Sequence, residues 1–341
     1  MRLPLLAALA LAALTGTARA QEVTLRVHHF LPADATHQVG ILDPWERMVE
    51  ERSNGRIDVQ IYPSMQLGGK PPQLFDQARD GVVDIAWTLL GYTPGRFPIA
   101  EVFELPFIGD TATRTTAALQ DFQAKYLGDE LSDVHTLLLH APSAYKLHTK
   151  TAPVTRLDDL AGLKIRAPSR TMTDGLGALG AVALGMPVPE VPQALTTGVI
   201  DGAVLPWEVS DTLRIESVVR NHTEFGHENG GLSTSVMALV MNKAVYEGLP
   251  DDLRAIVDDT TGAALAPLAG AAFDNAEAAV RQKAVDAGDT VVVIPQGDLG
   301  PWTEAAQPVI DAWVAAMDDA GHDGAAMLKD VRAMMDAARA D

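Results

Sequence analysis

Strand-like and helix-like segments alternate along almost the whole chain, and this rhythm confines it to the α/β class. Residues 23–30 (VTLRVHHF) form a β-rich run. Residues 41–52 form an amphipathic helical stretch with Pro44 in its first turn, and Asn54-Gly55 closes it before IDVQIYP (57–63), which alternates with period 2. PPQLFDQARDG (71–81) carries proline at its start and glycine at its end, the asymmetry of a helix, and VDIAWTLL (83–90) is the next strand. This β-α-β-α-β order predicts a mostly parallel sheet covered by helices. A second set begins near Ala144 with AYKLHT, LKIRAP, AVALGMP and IDGAVLP, and STSVMALVMN (233–242) and VVVIP (291–295) supply later strands. The helix-compatible run from Pro250 to Ala287 has few large apolar residues at regular spacing, so part of it is expected to cross between domains. No low-complexity tether separates the halves, which predicts ordered crossings and a hinged cleft.

At 341 residues the chain can bury roughly two cores. It contains Cys 0, which rules out disulfides and thiol catalysis and argues against structural zinc. Lys+Arg 26 against Asp+Glu 45 gives a formal charge of -19, a surface that repels nucleic acid and anionic lipid. Arg2, the apolar run from Leu3 to Leu14 and Ala18-Arg19-Ala20 predict an export signal cleaved near Ala20, with a mature chain from Gln21 in the periplasm. No later stretch is apolar for long enough to span a bilayer, so direct membrane insertion is not expected.

Several motifs carry less than their spelling suggests. Gly175, Gly177 and Gly180 with Asp201 spell a dinucleotide fingerprint, but SRTMTD separates the glycines from the preceding strand, so close helix packing or a ligand's approach to the helix is the expected role. Gly68-Gly69-Lys70 lacks the upstream glycine and the Ser/Thr of a phosphate loop. His28 and His29 point to opposite faces of a strand and cannot share one ion with His37; one buried and one exposed histidine is the expectation. Trp302, Val309, Trp313 and Met317, then Met327, Leu328, Val331 and Met335, recur at helical spacing and read as packing stripes. No catalytic constellation and no cofactor site emerges.

Arg166 stands alone in LKIRAPSR (163–170), a strand of short apolar residues. A buried guanidinium needs an anionic partner, because an unpaired buried charge costs several kcal/mol or more. No acid lies on this strand, and Asp158 and Asp159 precede it in a turn. Two readings remain open: a ligand carboxylate held by two parallel hydrogen bonds, or an ion pair with a distant Asp or Glu.

The segments 163–208, QIYPSMQLGGKPPQLFDQARDGVVDIAW (60–87), GRFPIAEVFELPF (95–107) and MNKAVYEGLPDDLRAIV (241–257) resemble, in order, the substrate-binding proteins of tripartite ATP-independent periplasmic (TRAP) transporters. The resemblance implies a two-domain Venus-flytrap fold, with central mixed sheets flanked by helices and a long helix crossing both domains. It places lobe I at 21–143 plus 231–270 and lobe II at 144–230 plus 271–341. It also implies a receptor that captures a small organic acid, does no chemistry on it, and delivers it to small and large membrane permease subunits driven by an ion gradient. By that resemblance Arg166 binds the ligand carboxylate and Lys146 occupies the place of a second basic residue.

Where the family carries a polar run after an Asp-Gly turn, this chain has Ala203, Val204 and Leu205, and Leu205 replaces a ligand-holding asparagine. Phe30, Trp87, Leu89, Tyr92 and Trp207 are placed around the same cleft. An apolar lining favours a monocarboxylate with an apolar or aromatic body, since unsatisfied ligand hydroxyls are costly to bury. The alternatives are a C4-dicarboxylate, a 2-oxoacid bridged by an ion with Glu208 as a ligand, an exported enzyme using the glycine run, and a ligand-sensing subunit.

Overall fold

The computed structural model describes residues 21–228 and 230–338, so the expected export segment lies outside the described residues. The strands are β1 (Val23–His28), β2 (Ile57–Tyr62), β3 (Ile85–Leu89), β4 (Val134–His140), β5 (Lys146–Thr149) and β6 (Lys164–Ala167). They continue as β7 (Val182–Gly185), β8 (Gly202–Leu205), β9 (Asn221–Gly226), β10 (Met237–Asn242) and β11 (Thr290–Pro295). The helices are α1 (Asp43–Arg52), α2 (Leu74–Arg79), α3 (Ala112–Tyr126), α4 (Arg170–Ala178), α5 (Val191–Thr197) and α6 (Trp207–Thr212). They are followed by α7 (Lys243–Glu247), α8 (Asp251–Thr260), α9 (Ala266–Asp286), α10 (Gly300–Asp319) and α11 (Gly324–Ala337).

One sheet runs β2-β1-β3-β10-β4 and the other β11-β9-β5-β8-β6-β7. In the first, β1 is parallel to β2 and β3, while β10 is antiparallel to β3 and β4. In the second, β6 is parallel to β7 and β8, β11 is parallel to β9, and β5 is antiparallel to both β8 and β9. Both sheets are therefore mixed and flanked by helices. No helix among the described residues is long and apolar enough to cross a membrane.

The expected strands fall where period and composition put them, and the run 250–287 breaks once, at Thr261, into α8 and the 21-residue α9. That long helix packs on α3 beside the first sheet and on α6 beside the second. The chain also passes between the sheets from β4 to β5 and from β9 to β10, and these two crossings are bonded to each other: Tyr145 N–H donates to Ser233 O at 2.6 Å and Leu232 N–H to Tyr145 O at 2.8 Å. Gly231 allows this approach, because a Cβ there would stand 2.5 Å from Tyr145 O.

Packing meets two of the sequence expectations and corrects two others. Trp302, Trp313, Met317, Met327, Val331 and Met335 are buried in the cores, as their helical spacing predicted. Each large apolar side chain so buried contributes about 1.5–3 kcal/mol. Gly175 packs close to Pro106, as a packing glycine should, whereas a Cβ at Gly177 or Gly180 would meet nothing within 4 Å. His28 and His29 are both fully buried, because β1 is flanked by β2 and β3 and covered on both faces. His28 lies 2.8 Å from Gln77 Oε1 and accepts from Leu67 N–H at 3.3 Å. The helix α11, assigned by sequence to the second lobe, packs on α3 beside the first sheet.

Candidate ligand-binding site

Arg166 is the third residue of β6, a short strand flanked by β7 and β8, and only 1% of it is exposed. Its Nε donates to Met186 O at 3.0 Å and its Nη1 to Val204 O at 3.3 Å, while Nη2 is buried without a hydrogen-bond partner. Two neutral carbonyls orient the guanidinium but do not neutralise it. Burial pulls its pKa down from the ordinary arginine value, and the nearby Tyr92 and Tyr145 phenols oppose that pull. Glu190, whose charge acts on it from a solvent-exposed position, makes no ion pair with it. Among the described residues no carboxylate pairs with Arg166, which leaves the first of the two readings opened by the sequence.

The guanidinium faces a narrow, shut crevice between the sheets. The first sheet and its loops supply Phe30, Leu31, His37, Trp87, Leu89, Tyr92 and Met237. The second supplies Tyr145, Arg166, Val188, Leu205, Pro206, Glu208 and Val209, and Phe273 reaches in from α9. Trp87 and Leu89 share one face of β3 by strand alternation. Trp87 stacks on His37 at 3.8 Å between ring centroids and on Phe30 at 5.0 Å, and Phe30 meets Tyr92 at 5.4 Å. The Trp87 indole N–H donates to His140 Nε2 at 2.9 Å, which fixes the ring. The wall is thus aromatic and rigid, with one cation at its edge.

Contacts between the halves close the crevice. Val188 N–H donates to the Tyr92 hydroxyl at 2.9 Å and Thr171 Oγ1 to Glu101 Oε2 at 2.9 Å. Glu208 is buried, its carboxyl hydrogen-bonds Thr36, and burial beside Glu277 pushes it up to about 8. A wider crevice with about 1010 Å³ of atom-free space lies elsewhere, around Phe107, Asp110, Arg114 and His227. Arg114 and His227 there are both paired with Asp110, and the crevice lacks the aromatic wall that surrounds Arg166.

Of the residues singled out by sequence, Arg166, Leu205, Phe30, Trp87, Leu89 and Tyr92 stand together around the closed cavity. Lys146 and Trp207 do not. Lys146 is fully buried and its ammonium is taken by Glu277 of α9 and by Ala144 O. Trp207 opens α6 with its indole turned into the second core, where Nε1 donates to Glu224 Oε1 at 2.9 Å and the ring packs on His148 and His222. Tyr145, His37, Met237 and Phe273 line the cavity and were not placed there by the sequence. Among the described residues, no three His, Asp or Glu side chains converge in a way that could hold a metal ion, so Glu208 has no companions for a bridging cation.

Residues 27–316 match the model of the bacterial extracellular solute-binding protein family 7 (DctP). A marine metagenome TRAP solute-binding protein specific for aromatic acid ligands, solved with metahydroxyphenylacetate, is 42% identical with a TM-score of 0.89, covering 92% of this chain and 99% of that one. A TRAP solute-binding protein from Rhodoferax ferrireducens, solved with copurified benzoate, is 41% identical with a TM-score of 0.89, covering 93% and 98%. The C4-dicarboxylate-binding periplasmic protein DctP of Rhodobacter capsulatus is 30% identical over 302 residues, 88% of this chain and 89% of its own.

Proposed function

The chain belongs to the bacterial extracellular solute-binding protein family 7, as a TRAP-transporter solute-binding protein, and we propose that it captures a small aromatic monocarboxylate. The observation that carries this reading is Arg166: a buried guanidinium whose Nη2 has no partner, facing a cavity walled by Phe30, Trp87, Tyr92 and Tyr145. A carboxylate there gains a charge-assisted, two-point contact with a planar fork. The flat aromatic wall buries a ring without leaving polar groups unpaired. The aromatic acids bound by the two solved relatives agree with this chemistry.

The mechanism is capture by closure, with no bond made or broken. The open crevice admits the acid, Arg166 takes its carboxylate, and the lobes close about the crossings between β4 and β5 and between β9 and β10. Closure excludes water, which strengthens the ion pair and fixes the shape offered to the membrane permease subunits. Residues 1–20 serve as the export signal that delivers the chain to the periplasm. A C4-dicarboxylate, the ligand class of the Rhodobacter relative, fits less well, since Lys146, at the place of a second basic residue, is held by Glu277 and the lining offers few polar donors.

Calorimetric titration with benzoate tests the reading. Arg166→Ala is expected to cost about 2–5 kcal/mol of binding, and Arg166→Lys to weaken it too by losing the planar fork. Benzoate binding of near-parental affinity in Arg166→Ala, or tighter binding of succinate than of benzoate by the parent, would overturn it.

A further inference from the structure

His37 is a polar group on the aromatic wall that neither the carboxylate grip nor the closing contacts use. Its ring lies nearly parallel to Trp87, at 12°, it is 1% exposed, and its Nδ1 is buried without a hydrogen-bond partner. Its other nitrogen, Nε2, lies 2.9 Å from His29 Nδ1, and His29 Nε2 in turn lies 2.9 Å from Gln38 Oε1.

This relay fixes the protons. A carbonyl oxygen only accepts, so His29 carries its proton on Nε2 and presents a bare Nδ1. His37 must then donate from Nε2, which leaves His37 Nδ1 as a lone-pair acceptor in the cavity wall. Burial, with His29 and His140 nearby, holds His37 well below the ordinary histidine range, so the ring stays neutral and the acceptor stays bare. Thr36, the neighbouring residue, is hydrogen-bonded to Glu208 of the opposite half, so closure anchors the segment that carries the ring.

We propose that His37 Nδ1 reads a hydrogen-bond donor on the body of the ligand, of the phenolic hydroxyl type, so that the preferred guest is a hydroxylated aromatic acid. The assignment rests on the reading of the ligand as a small aromatic monocarboxylate. Arg166 then selects for the anion and His37 for a substituent on the ring. A buried acceptor left unpaired is penalised, so a ring lacking the donor is discriminated against even when it fits.

The test is calorimetry on the whole protein with 3- and 4-hydroxybenzoate and with 3- and 4-fluorobenzoate, which keep the shape closely and lack the donor. The better hydroxy isomer is expected to bind about tenfold more tightly than its fluoro counterpart. In His37→Phe, which keeps the stack on Trp87 and removes the nitrogen, that ratio should fall to near one. The 15N resonance of His37 Nδ1 in the parent protein gives a readout independent of any variant. It should move toward the hydrogen-bonded value with the hydroxybenzoate and stay put with the fluorobenzoate. Fluorobenzoate binding with no hydroxyl preference, an unmoved resonance, or a preference that persists in His37→Phe would each overturn this assignment and leave the aromatic-acid reading standing. Failure of every benzoate to bind would overturn both.

Discussion

Lys146 and Glu277 form an ion pair closed off from solvent, and the ammonium also donates to Ala144 O at 2.6 Å. The second Glu277 oxygen accepts from the Glu208 backbone N–H at 3.2 Å, so the pair joins β5, α9 and the start of α6. Burial pushes the Glu277 carboxyl up and the Lys146 ammonium opposes it. Removing the lysine strands a carboxylate in the interior. Lys146→Ala is therefore expected to lose about 3–5 kcal/mol of stability, and the double variant Lys146→Met/Glu277→Met to recover most of it. Thermal unfolding of the three proteins decides this; an unchanged midpoint for Lys146→Ala would mean the pair contributes nothing.

Trp207 is buried against His148, His222 and Glu224 of the second sheet and does not line the crevice, so its effects should be on folding. Trp207→Phe removes the bond to Glu224 and is expected to cost roughly 1–3 kcal/mol of stability. The ratio of affinities for a small and a bulky aromatic acid should not move. A selective loss of the bulky ligand would put the indole back at the site.

Gly91 lies where the two halves touch. A Cβ there would stand 2.7 Å from Ser169 Cβ and 2.8 Å from Glu104 Oε1, too close for the closed arrangement to persist. Gly91→Ala should weaken ligand binding by opposing closure while leaving Arg166 intact. Small-angle scattering with saturating ligand should show a larger radius of gyration for the variant than for the parent. Equal radii and equal affinity would count against a closure-dependent site.

Burial pushes Glu104 up to about 8, with a Ser169 hydrogen bond opposing, and Glu208 also to about 8. These carboxyls keep their protons in the native state while the unfolded chain releases them near 4.5. Their contribution is full below that value and is lost as pH rises through about 8. The histidines held low in the native state, His28, His29, His37, His135, His140, His148 and His222, act in the opposite sense, since the unfolded chain takes up their protons around pH 6.5. Across pH 6.5 to 8 each of these carboxyls takes away roughly 1–2 kcal/mol, while the histidines, still half-charged in the unfolded chain at pH 6.5, return part of it, so the Glu104 share is read as a difference between variants. Denaturant unfolding at the two ends of that range should show a smaller fall for Glu104→Gln than for the parent; an identical fall would remove Glu104 from the account.

The strand rhythm located the sheet elements other than β4 and β9, because period 2 and glycine or proline punctuation are local properties. Arg166 was legible for a related reason: a charge on a short apolar strand needs explaining whatever surrounds it. Lys146 sits opposite Leu205 in the β5–β8 register and shares its face, yet its partner is 131 residues away on a helix whose course no local pattern reveals. Trp207 was misplaced because the turn at Pro206 re-aims the chain as α6 begins. Tyr145 and Met237 had a usable signal: each stands at the start of an antiparallel strand, at the edge where the parallel strands end and ligands gather. His37 had none, since its role depends on a proton relay through His29.

On the proposed reading the anion grip comes from the second sheet, while the guest's body is walled by both. Neither half alone would enclose such a guest, so tight retention and the shut shape would arise together, and a transporter that senses shape would thereby sense occupancy. The same partition lets the menu of acids drift through changes near Phe30, His37 and Trp87 while the arginine stays untouched.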